Sequence, residues 1–282
     1  MQPKHIKIND KITIGNDLPF VLIAGPCAME TREHALMMAT EIQKITKELD
    51  IPYIFKSSFD KANRSSISGK RGIGIEKGLP VFDEIRETLG IPCITDIHLP
   101  SQAEEVAKHV DMLQIPAFLA RQTDLLVAAA KQGKPVNVKK PQFLAPHTMK
   151  NVVKIMEESG NNRTLLTERG TLMGYGNYVV DFRGIPEMKE TGYPVVIDAT
   201  HSVQTPSTGG TCSGGARKYV PTIARAALIQ GVGAVFLEVH QEPEIAPCDG
   251  PNMVRLSQLK AFLTNLKKID ELAKSTPEIK LK

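Results

Sequence analysis

Short apolar segments rich in β-branched residues recur along the chain, and each is followed by a polar, Gly or Pro residue and then by a stretch with helical spacing. The pattern predicts eight strands. Each is almost entirely hydrophobic, which is typical of parallel strands covered on both faces. The eight are Phe20–Cys27, Tyr53–Phe59, Ile91–His98, Met112–Ala117, Pro135–Lys140, Thr164–Gly170, Pro194–Ser202 and Ala234–His240.

Stretches with the 3.6-residue spacing of an amphipathic helix lie between these strands. Examples are Thr31–Leu49, Ser101–Val110, Thr123–Gln132, Met149–Ser159, Arg217–Gln230 and Leu256–Ala273. Eight successive strand–helix units predict an α/β fold of the (β/α)₈ or TIM-barrel type. A doubly wound open sheet, which usually has fewer strands, is the alternative.

Residues 6–14 precede the first barrel strand and alternate apolar and polar side chains around Asn9-Asp10. This pattern predicts a small β-hairpin, which we expect to cap the floor of the barrel. No segment rich in Gly, Ser or Pro marks a linker. We therefore expect residues 1–282 to form a single domain.

The composition is that of a globular protein, with 41% hydrophobic and 23% charged residues. Lys and Arg exceed Asp and Glu by 35 to 31, a net charge of +4 with no run of like charge, which argues against nucleic-acid or anionic-membrane partners. No apolar stretch approaches the roughly 18 residues of a membrane span, and the first residues lack a signal-peptide layout. We expect a cytoplasmic protein whose four cysteines, which form no C-x-x-C pair, are thiols.

The expected ends of the strands are rich in polar and charged side chains, and in a barrel these ends converge on one mouth. A single lysine or arginine after a strand is more often solvated surface than a ligand. Together, however, several cations would make the mouth strongly basic, which suits phosphorylated, acidic substrates. The cations are Lys56, Lys61, Arg64, Lys139 and Arg169, beside Ser58, Asp96, Gln114 and Asp198.

Cys27, His201 and Glu238 follow the first, seventh and eighth strands, which are neighbours in a closed barrel, and Asp249 lies in the next loop. A thiolate, an imidazole and two carboxylates form a mixed donor set suited to Zn²⁺, Fe²⁺ or Mn²⁺. Their spacing is not itself a metal motif. Singly, each also fits a structural role, as a small buried cysteine, a hydrogen-bonded histidine or a paired carboxylate, so both interpretations stay open at this point.

Several long segments closely resemble the 3-deoxy-D-manno-octulosonate 8-phosphate synthase family. The resemblance extends from about residue 16 to about residue 260 and is most specific between Lys56 and Ser66. The segments are Ile23-Ala-Gly-Pro-Cys27, Phe55-Lys-Ser-Ser-Phe-Asp-Lys-Ala-Asn-Arg-Ser-Ser66, Gln114-Ile-Pro-Ala-Phe-Leu-Ala-Arg-Gln-Thr-Asp124, Asn137-Val-Lys-Lys-Pro-Gln-Phe143, Thr167-Glu-Arg-Gly170 and Asp198-Ala-Thr-His-Ser202.

The resemblance implies condensation of phosphoenolpyruvate with D-arabinose 5-phosphate and water in lipopolysaccharide synthesis, with release of inorganic phosphate by C–O cleavage. It also implies a homotetramer, in which the segment from Phe118 to Arg121 reaches into a neighbouring subunit's site. By this resemblance, phosphoenolpyruvate would be held by Lys139 and Arg169, beside Lys61 and Gln114. The sugar phosphate would be received by Asn63, Arg64 and Ser65, and the substrate site would be completed by Lys56, Ser58 and Asp96. The catalytic residues would be Lys61, Lys139, His201 and Asp249.

The family has a branch with a cysteine at the position of Cys27 and a divalent metal, and a branch with an asparagine there and no metal. Cys27, His201, Glu238 and Asp249 place this chain in the metal-dependent branch by resemblance, although the loop Cys248-Asp-Gly-Pro-Asn252 is more similar to the metal-free branch. Zn²⁺, Fe²⁺ and Mn²⁺ remain alternatives, and the metal would act as a Lewis acid or as a template.

Three other functions compete with this one. A heptulosonate 7-phosphate synthase is disfavoured by Ala62-Asn63, where that relative resembles Lys-Pro-Arg-Thr. A Schiff-base aldolase could use a buried lysine such as Lys139 as its nucleophile. A catalytically silent barrel that binds sugar phosphates is the third, because a fold alone does not establish chemistry.

Overall fold

Eight parallel strands close into a barrel in the computed structural model, which describes residues 3–63, 67, 69–172, 176–209 and 212–276, with the backbone alone at 206–209, 212 and 213. The barrel strands are β3–β8, β11 and β14, and the others form short hairpins or extensions. In chain order the strands are β1 (Ile6–Lys7), β2 (Thr13–Ile14), β3 (Val21–Gly25), β4 (Tyr53–Lys56), β5 (Cys93–Asp96), β6 (Met112–Ile115), β7 (Val136–Lys139), β8 (Thr164–Glu168), β9 (Thr171–Leu172), β10 (Tyr178–Val179), β11 (Val195–Asp198), β12 (Gln204–Gly209), β13 (Cys212–Gly215), β14 (Ala234–His240) and β15 (Val254–Arg255).

Strand β14 closes the barrel, because it pairs in parallel with β11 on one side and with β3 on the other. Its Phe236 lies opposite Asp198, and its Glu238 lies opposite Gly25. A Cβ at Gly25 would lie 2.0 Å from the carbonyl oxygen of Lys56, so only glycine fits this close approach of β3 and β4. The closed sheet confirms the predicted (β/α)₈ barrel and shows that the open-sheet alternative is wrong.

The helices surround the sheet and follow the six predicted segments closely. Helix α2 contains Pro80, which does not break it. Neither α2 nor the short α6 was among the six segments. In chain order the helices are α1 (Arg32–Glu48), α2 (Ile75–Leu89), α3 (Ala103–His109), α4 (Thr123–Ala130), α5 (Met149–Glu158), α6 (Gly184–Lys189), α7 (Val220–Ile229) and α8 (Leu256–Ser275). No helix in the described ranges is both long and apolar enough to cross a bilayer.

Most strands end earlier than predicted. Strand β3 ends at Gly25 rather than Cys27, β4 at Lys56 rather than Phe59, and β11 at Asp198 rather than Ser202. Beyond these points the regular ladder stops, although Ala28 and Ser58 still form an isolated parallel bridge. Continuous hydrophobicity therefore overstates the length of the regular ladder. The residues that follow the strands therefore lie on turns at the barrel mouth.

Strands β1 and β2 pair in antiparallel fashion with Ile6 opposite Ile14, and both side chains are buried in the main core. Just beyond β2, the Asn16 amide bonds the Tyr193 carbonyl and the Val195 N–H, where β11 begins. The hairpin therefore lies near the amino-terminal ends of the barrel strands. From these contacts we propose that it closes the floor of the barrel and that the chain is one domain.

Candidate active site

The carboxyl ends of the barrel strands carry buried polar and charged side chains where an apolar core would otherwise continue. Burying a charge without a partner is costly, so side chains of this kind must either be paired or await a ligand. The barrel brings together at its mouth most of the residues that the sequence predicted for the site. The buried set at the strand ends is Lys56, Asp96, Gln114, Lys139, Glu168, Asp198 and Glu238.

Asp96 organises two lysines on the side of the mouth formed by β4 and β5. Nζ of Lys56 and Nζ of Lys61 donate to the Ser58 hydroxyl at 3.0 and 3.1 Å, and that hydroxyl donates to Oδ2 of Asp96 at 2.7 Å. Burial by itself would raise the pKa of Asp96, but Lys56 and Lys61 lower it well below its ordinary value. Asp96 is therefore a carboxylate that holds two ammonium groups towards the barrel mouth.

A chain of side-chain hydrogen bonds continues from Asp96 across three further strands. Nε2 of Gln114 donates to Oδ1 of Asp96, and Oε1 of Gln114 accepts from Nδ2 of Asn137 at 3.0 Å. Oδ1 of Asn137 in turn accepts from the Thr167 hydroxyl at 2.5 Å. These bonds fix which end of the Gln114 amide faces each neighbour. The sequence predictions gave no role to Asn137 or Thr167, although a polar residue inside a buried strand was the available signal.

Asp198 connects the β7 side of the mouth with the β11 side. Its Oδ2 accepts from Nζ of Lys139 at 2.6 Å and lies 2.7 Å from Nδ1 of His201. Burial would raise the pKa of Asp198, but His201 and Lys139 lower it well below its ordinary value. Burial lowers the pKa of Lys139, and Asp198 opposes that effect only in part. Asp198 was expected at the barrel mouth and stands in the motif that carries the family resemblance, yet no substrate, metal or catalytic role was predicted for it.

His201 lies close to three carboxylates. Its Nδ1 is 2.7 Å from Oδ2 of Asp198, and its Nε2 is 3.5 Å from Oε1 of Glu238 and 3.6 Å from Oδ2 of Asp249. Burial would lower the pKa of His201, but Asp198 and Glu238 raise it. A carboxylate behind one ring nitrogen and a cluster of anionic donors before the other is the arrangement found for histidine ligands of metals.

The four predicted metal ligands fall in two groups that share Asp249: His201 and Glu238 lie with it in one group, and Cys27 and Cys248 lie with it in the other. Asp249 links the other three, because its Oδ2 also accepts from Sγ of Cys27 at 3.1 Å. Glu238 is fully buried, and within the described ranges neither of its carboxylate oxygens accepts a hydrogen bond. The nearest ammonium groups, those of Lys56 and Lys61, are 3.8 and 3.9 Å away. Two orphaned oxygens on a buried carboxylate fit a cation, so these residues could hold a metal ion.

The backbone at Asp249 has a φ of +53°, a left-handed conformation that is uncommon outside glycine. Oδ1 of Asp249 also accepts from Nε2 of Gln204 at 2.9 Å. Burial would raise the pKa of Asp249, but His201 and Lys61 lower it well below its ordinary value. Burial and the neighbouring Cys248 instead raise the pKa of the Cys27 thiol. Strain and charge are thus concentrated at this one residue, as is common at functional sites.

Arg169 lies beyond β8 and is almost fully buried. Its Nη2 donates to Oε1 of Gln204 at 3.2 Å, and its guanidinium carbon lies 4.4 Å from the centre of the Tyr178 ring. Its Nη1 is buried and has no hydrogen-bond partner in the described part of the chain. Oε1 of Glu168 fixes the adjacent backbone by accepting from the N–H groups of Arg169 and Gly170. A rigid guanidinium with a spare donor is suited to an anion such as phosphate or carboxylate.

The other predicted substrate residues are not gathered into this cluster. Asn63 is exposed, Phe118 is 52% exposed, and Arg121 is exposed on the turn after β6. Arg64 and Ser65 lie outside the described residues. The predicted site thus divides into a buried part formed by the strand ends and a part on exposed loops.

A third group that could hold a metal consists of Glu30, His34 and His240. Nδ1 of His240 accepts from the backbone N–H of Glu242 at 3.0 Å, so its Nε2 carries the proton and donates to Oε1 of Glu30 at 2.8 Å. Both ring nitrogens of His240 are therefore engaged. This hydrogen-bonding pattern favours a structural link between the end of β14 and the start of α1.

Comparison with known proteins gives one consistent picture. The family model described as "DAHP synthetase I family" matches residues 4–275. A "2-dehydro-3-deoxyphosphooctonate aldolase" of Rickettsia bellii (strain OSU 85-389) is 58% identical over 271 residues, which cover 96% of this chain and 98% of the relative. Proteins of the same name from Rickettsia prowazekii (strain Madrid E) and Granulibacter bethesdensis (strain ATCC BAA-1260 / CGDNIH1) are 56% identical over 271 residues and 55% identical over 264. They cover 96% and 94% of this chain, and 98% and 94% of the two relatives.

Proposed function

Because this chain belongs to the DAHP synthetase I family, we propose that it condenses phosphoenolpyruvate with D-arabinose 5-phosphate and water. The products are 3-deoxy-D-manno-octulosonate 8-phosphate and inorganic phosphate. The aldolase name that relatives of 54 to 58% identity share denotes this same activity. It confirms the resemblance found in the sequence, and with it the conclusion that the chain is an enzyme.

One observation carries the substrate assignment at the structural level, namely the buried Nη1 of Arg169 that has no partner among the described residues. A phosphate or carboxylate oxygen would satisfy this donor. Lys139 supplies a second buried cation at the same mouth, held by Asp198 at 2.6 Å. We assign phosphoenolpyruvate to these two residues, with Lys61 and Gln114 beside it, because two fixed cations match its two anionic groups.

The lysines on the other side of the mouth would serve the reacting end of the same substrate and the incoming sugar. Lys56 and Lys61 are held by Ser58 and Asp96, so that their charges are fixed before a substrate arrives. Fixed charge of this kind stabilises a developing anion without reorganisation at the moment of reaction. The phosphate of the sugar would bind to Asn63, Arg64 and Ser65, which follow β4 in the sequence. The neighbouring subunit would contribute Phe118 and Arg121.

The reaction requires the two substrates side by side. C3 of the enolpyruvate attacks the aldehyde carbon of the open-chain sugar, water adds at C2, and phosphate leaves with cleavage of the C–O bond. Holding two anions in this geometry converts a bimolecular encounter into an intramolecular step. His201 and Asp249 face the same space as Lys61, so they are placed to orient the water or the aldehyde oxygen and to accept a proton.

Cys27, His201, Glu238 and Asp249 would hold the divalent metal. When bound, the ion would supply a Lewis acid or a template for the aldehyde or the water. A single thiolate with one imidazole and two carboxylates suits Zn²⁺, Fe²⁺ and Mn²⁺. Asp198 would keep Nε2 of His201 directed at the site, and Gln204 would do the same for Asp249.

We also propose a cytoplasmic homotetramer that binds neither nucleic acid nor membrane. Phe118 is 52% and Phe143 is 64% exposed on the loops that follow β6 and β7. Large apolar side chains of this kind at a barrel mouth suit burial between subunits. Size-exclusion chromatography with light scattering tests the assembly, and a monomeric mass would contradict it.

The decisive experiment is release of inorganic phosphate from phosphoenolpyruvate, with and without a tight chelator. Arabinose 5-phosphate should support release, and erythrose 4-phosphate should not. Loss of release with chelator supports the metal; chelator-resistant release keeps the reaction and removes the metal from it. Phosphate release with erythrose 4-phosphate but not with arabinose 5-phosphate would identify a heptulosonate synthase. If neither sugar supports phosphate release, the protein is a silent barrel. Trapping of a substrate adduct with borohydride would reveal a Schiff base at a lysine such as Lys139.

A further inference from the structure

Two cysteines that are 221 positions apart in the sequence meet at the barrel mouth. Sγ of Cys248 lies 2.8 Å from Sγ of Cys27 and donates to it. A disulfide bond is roughly 2.05 Å long, so the two sulfurs are within about 1 Å of bonding distance. Both residues are free thiols, as is Cys93, which lies elsewhere in the core.

The surroundings of the pair differ from those of an ordinary buried cysteine. Cys27 and Cys248 form a small apolar cluster with Ala28 and Met253, separate from the main core. Cys27 follows the end of β3, and Cys248 lies in the loop between β14 and β15, so neither sulfur is held inside a regular element. A shift of one loop by a fraction of an ångström is compatible with this setting.

A carboxylate and several partly exposed side chains lie next to the sulfurs. The Cys27 thiol donates to Oδ2 of Asp249 at 3.1 Å, so hydrogen bonds run from Cys248 through Cys27 to a carboxylate. The side chains that border the pair on the mouth side, those of Lys61, His201 and Asp249, are 11, 14 and 15% exposed. Cys27 is fully buried and Cys248 is 3% exposed, so a small oxidant would reach the pair from the substrate side, past these partly exposed side chains.

We propose that Cys27 and Cys248 are a redox-active dithiol, which hydrogen peroxide converts into a reversible disulfide. The Cys27 sulfur attacks a peroxide oxygen, the O–O bond breaks, and the proton of the Cys27 thiol departs with the leaving oxygen as water. Sγ of Cys248 then attacks the sulfenic sulfur of Cys27, and a second water departs with the Cys248 proton. In sum, two thiols and one hydrogen peroxide give one disulfide and two waters. A small dithiol reductant restores the thiols by exchange.

The consequence for the site rests on the proposed function, in which Cys27 is a metal ligand. A disulfide sulfur carries no negative charge and does not replace a thiolate as a ligand. Oxidation would leave His201, Glu238 and Asp249 as the remaining donors. We expect the affinity for Zn²⁺ to fall on the order of tenfold or more. The dithiol would thus couple the metal site to peroxide.

The test uses the full-length protein, reduced and freed of reductant, with and without added Zn²⁺. It is exposed to a modest excess of hydrogen peroxide, and its remaining thiols are then alkylated under denaturing conditions. Non-reducing peptide mass spectrometry should find Cys27 linked to Cys248, with two of the four thiols protected from alkylation. Released Zn²⁺ is followed with a coloured chelator, and dithiothreitol should restore both the thiol count and the retained Zn²⁺.

Matched variants complete the design. Cys248→Ser should abolish the linkage while leaving Cys27 free, and Cys93→Ser should leave the linkage intact, because Cys93 lies apart from the pair. Sulfinic acid at Cys27 without any linked peptide would overturn the proposal, as would a linkage through Cys212 or between two chains. If the linkage forms in a protein that never retains Zn²⁺, the redox-active dithiol is supported and the metal assignment is wrong. If Zn²⁺ is retained and no linkage forms, the metal assignment is supported and the redox-active dithiol is wrong.

Discussion

Oδ2 of Asp198 lies 2.7 Å from Nδ1 of His201, an ion-pair distance. Nε2 of the same ring faces Glu238 and Asp249. An amide in place of the carboxylate would keep the shape but remove the charge that favours this ring orientation. The pair therefore connects a strand end to the chemistry of the site, and it can be tested directly.

Replacing Asp198 with asparagine should lower kcat by roughly 10- to 100-fold and weaken metal retention, because His201 and Lys139 lose their common anion. Steady-state kinetics and elemental analysis of the purified variant measure both effects. Asp181→Asn, at an exposed carboxylate that pairs only with Arg183 in the described ranges, is the control. Unchanged kcat with unchanged metal content would contradict the role of Asp198.

Cys27→Ala should abolish metal binding and most of the activity. The physical reason is that the site loses its one soft ligand and keeps only an imidazole and two carboxylates. The affinity for the metal should therefore fall by at least about tenfold. Metal content after dialysis and phosphate release in metal-free buffer are the measurements. Cys93→Ala, which removes a buried thiol remote from the mouth, serves as the matched control. Full activity of Cys27→Ala without metal would remove the metal from the reaction.

Arg169→Ala should weaken the use of phosphoenolpyruvate far more than the use of the sugar. Loss of charge-assisted hydrogen bonds to an anion costs about 2–3 kcal/mol, or roughly 10²-fold in kcat/KM. Michaelis constants measured separately for the two substrates distinguish the two cases. Comparable changes in both constants would count against a site for phosphoenolpyruvate at Arg169.

Two threonines of β8 provide a matched pair for the hydrogen-bond chain. Thr167→Val should destabilise the protein by about 1–3 kcal/mol, because Oδ1 of buried Asn137 loses its donor. Thr164→Val should be neutral or stabilising, because the buried Thr164 hydroxyl has no partner among the described residues. Urea unfolding of both variants gives the comparison. Equal decreases in the free energy of unfolding would show that the hydrogen bond of Thr167 does not stabilise the protein.

The lowered pKa of Asp96 sets the direction of a pH effect on stability. Its folded-state pKa lies below the ordinary value of 3.8, so the unfolded chain takes up a proton first as the pH falls. The contribution of Asp96 is therefore fully present above about pH 5 and is lost progressively through pH 4 and below. Asp96→Asn should reduce the acid-side slope of the unfolding free energy. A slope that is the same in both proteins would contradict this assignment.

Much of the fold follows from local sequence patterns and could therefore be predicted from the sequence. Alternating hydrophobic strands and helices predicted the barrel because each element buries its own apolar face against the same sheet. The residues that end each strand were placed at the mouth by the same topology. Helix α2 is an exception, since Pro80 lies inside a helix that the periodicity did not single out.

The length of each strand was decided by its neighbours. Cys27 and His201 were expected inside strands, but Cys27 lies beyond the end of β3 and His201 begins a short 3-10 helix after β11. The positions of Asn63 and Phe118 on exposed loops likewise follow from what the mouth leaves uncovered. Hydrophobicity along the chain contains no information about either.

The sequence by itself determined the fold class, the side of the barrel that carries the chemistry and the four candidate metal ligands. Only the tertiary structure decided which side chains touch. It placed Asp198 beside His201, joined Asn137 to Gln114 and Thr167, and brought Cys248 to Cys27. The reason is physical: periodicity reports burial, which each residue satisfies alone, whereas a hydrogen bond or a thiol contact depends on distances of about 3 Å between groups far apart in the chain.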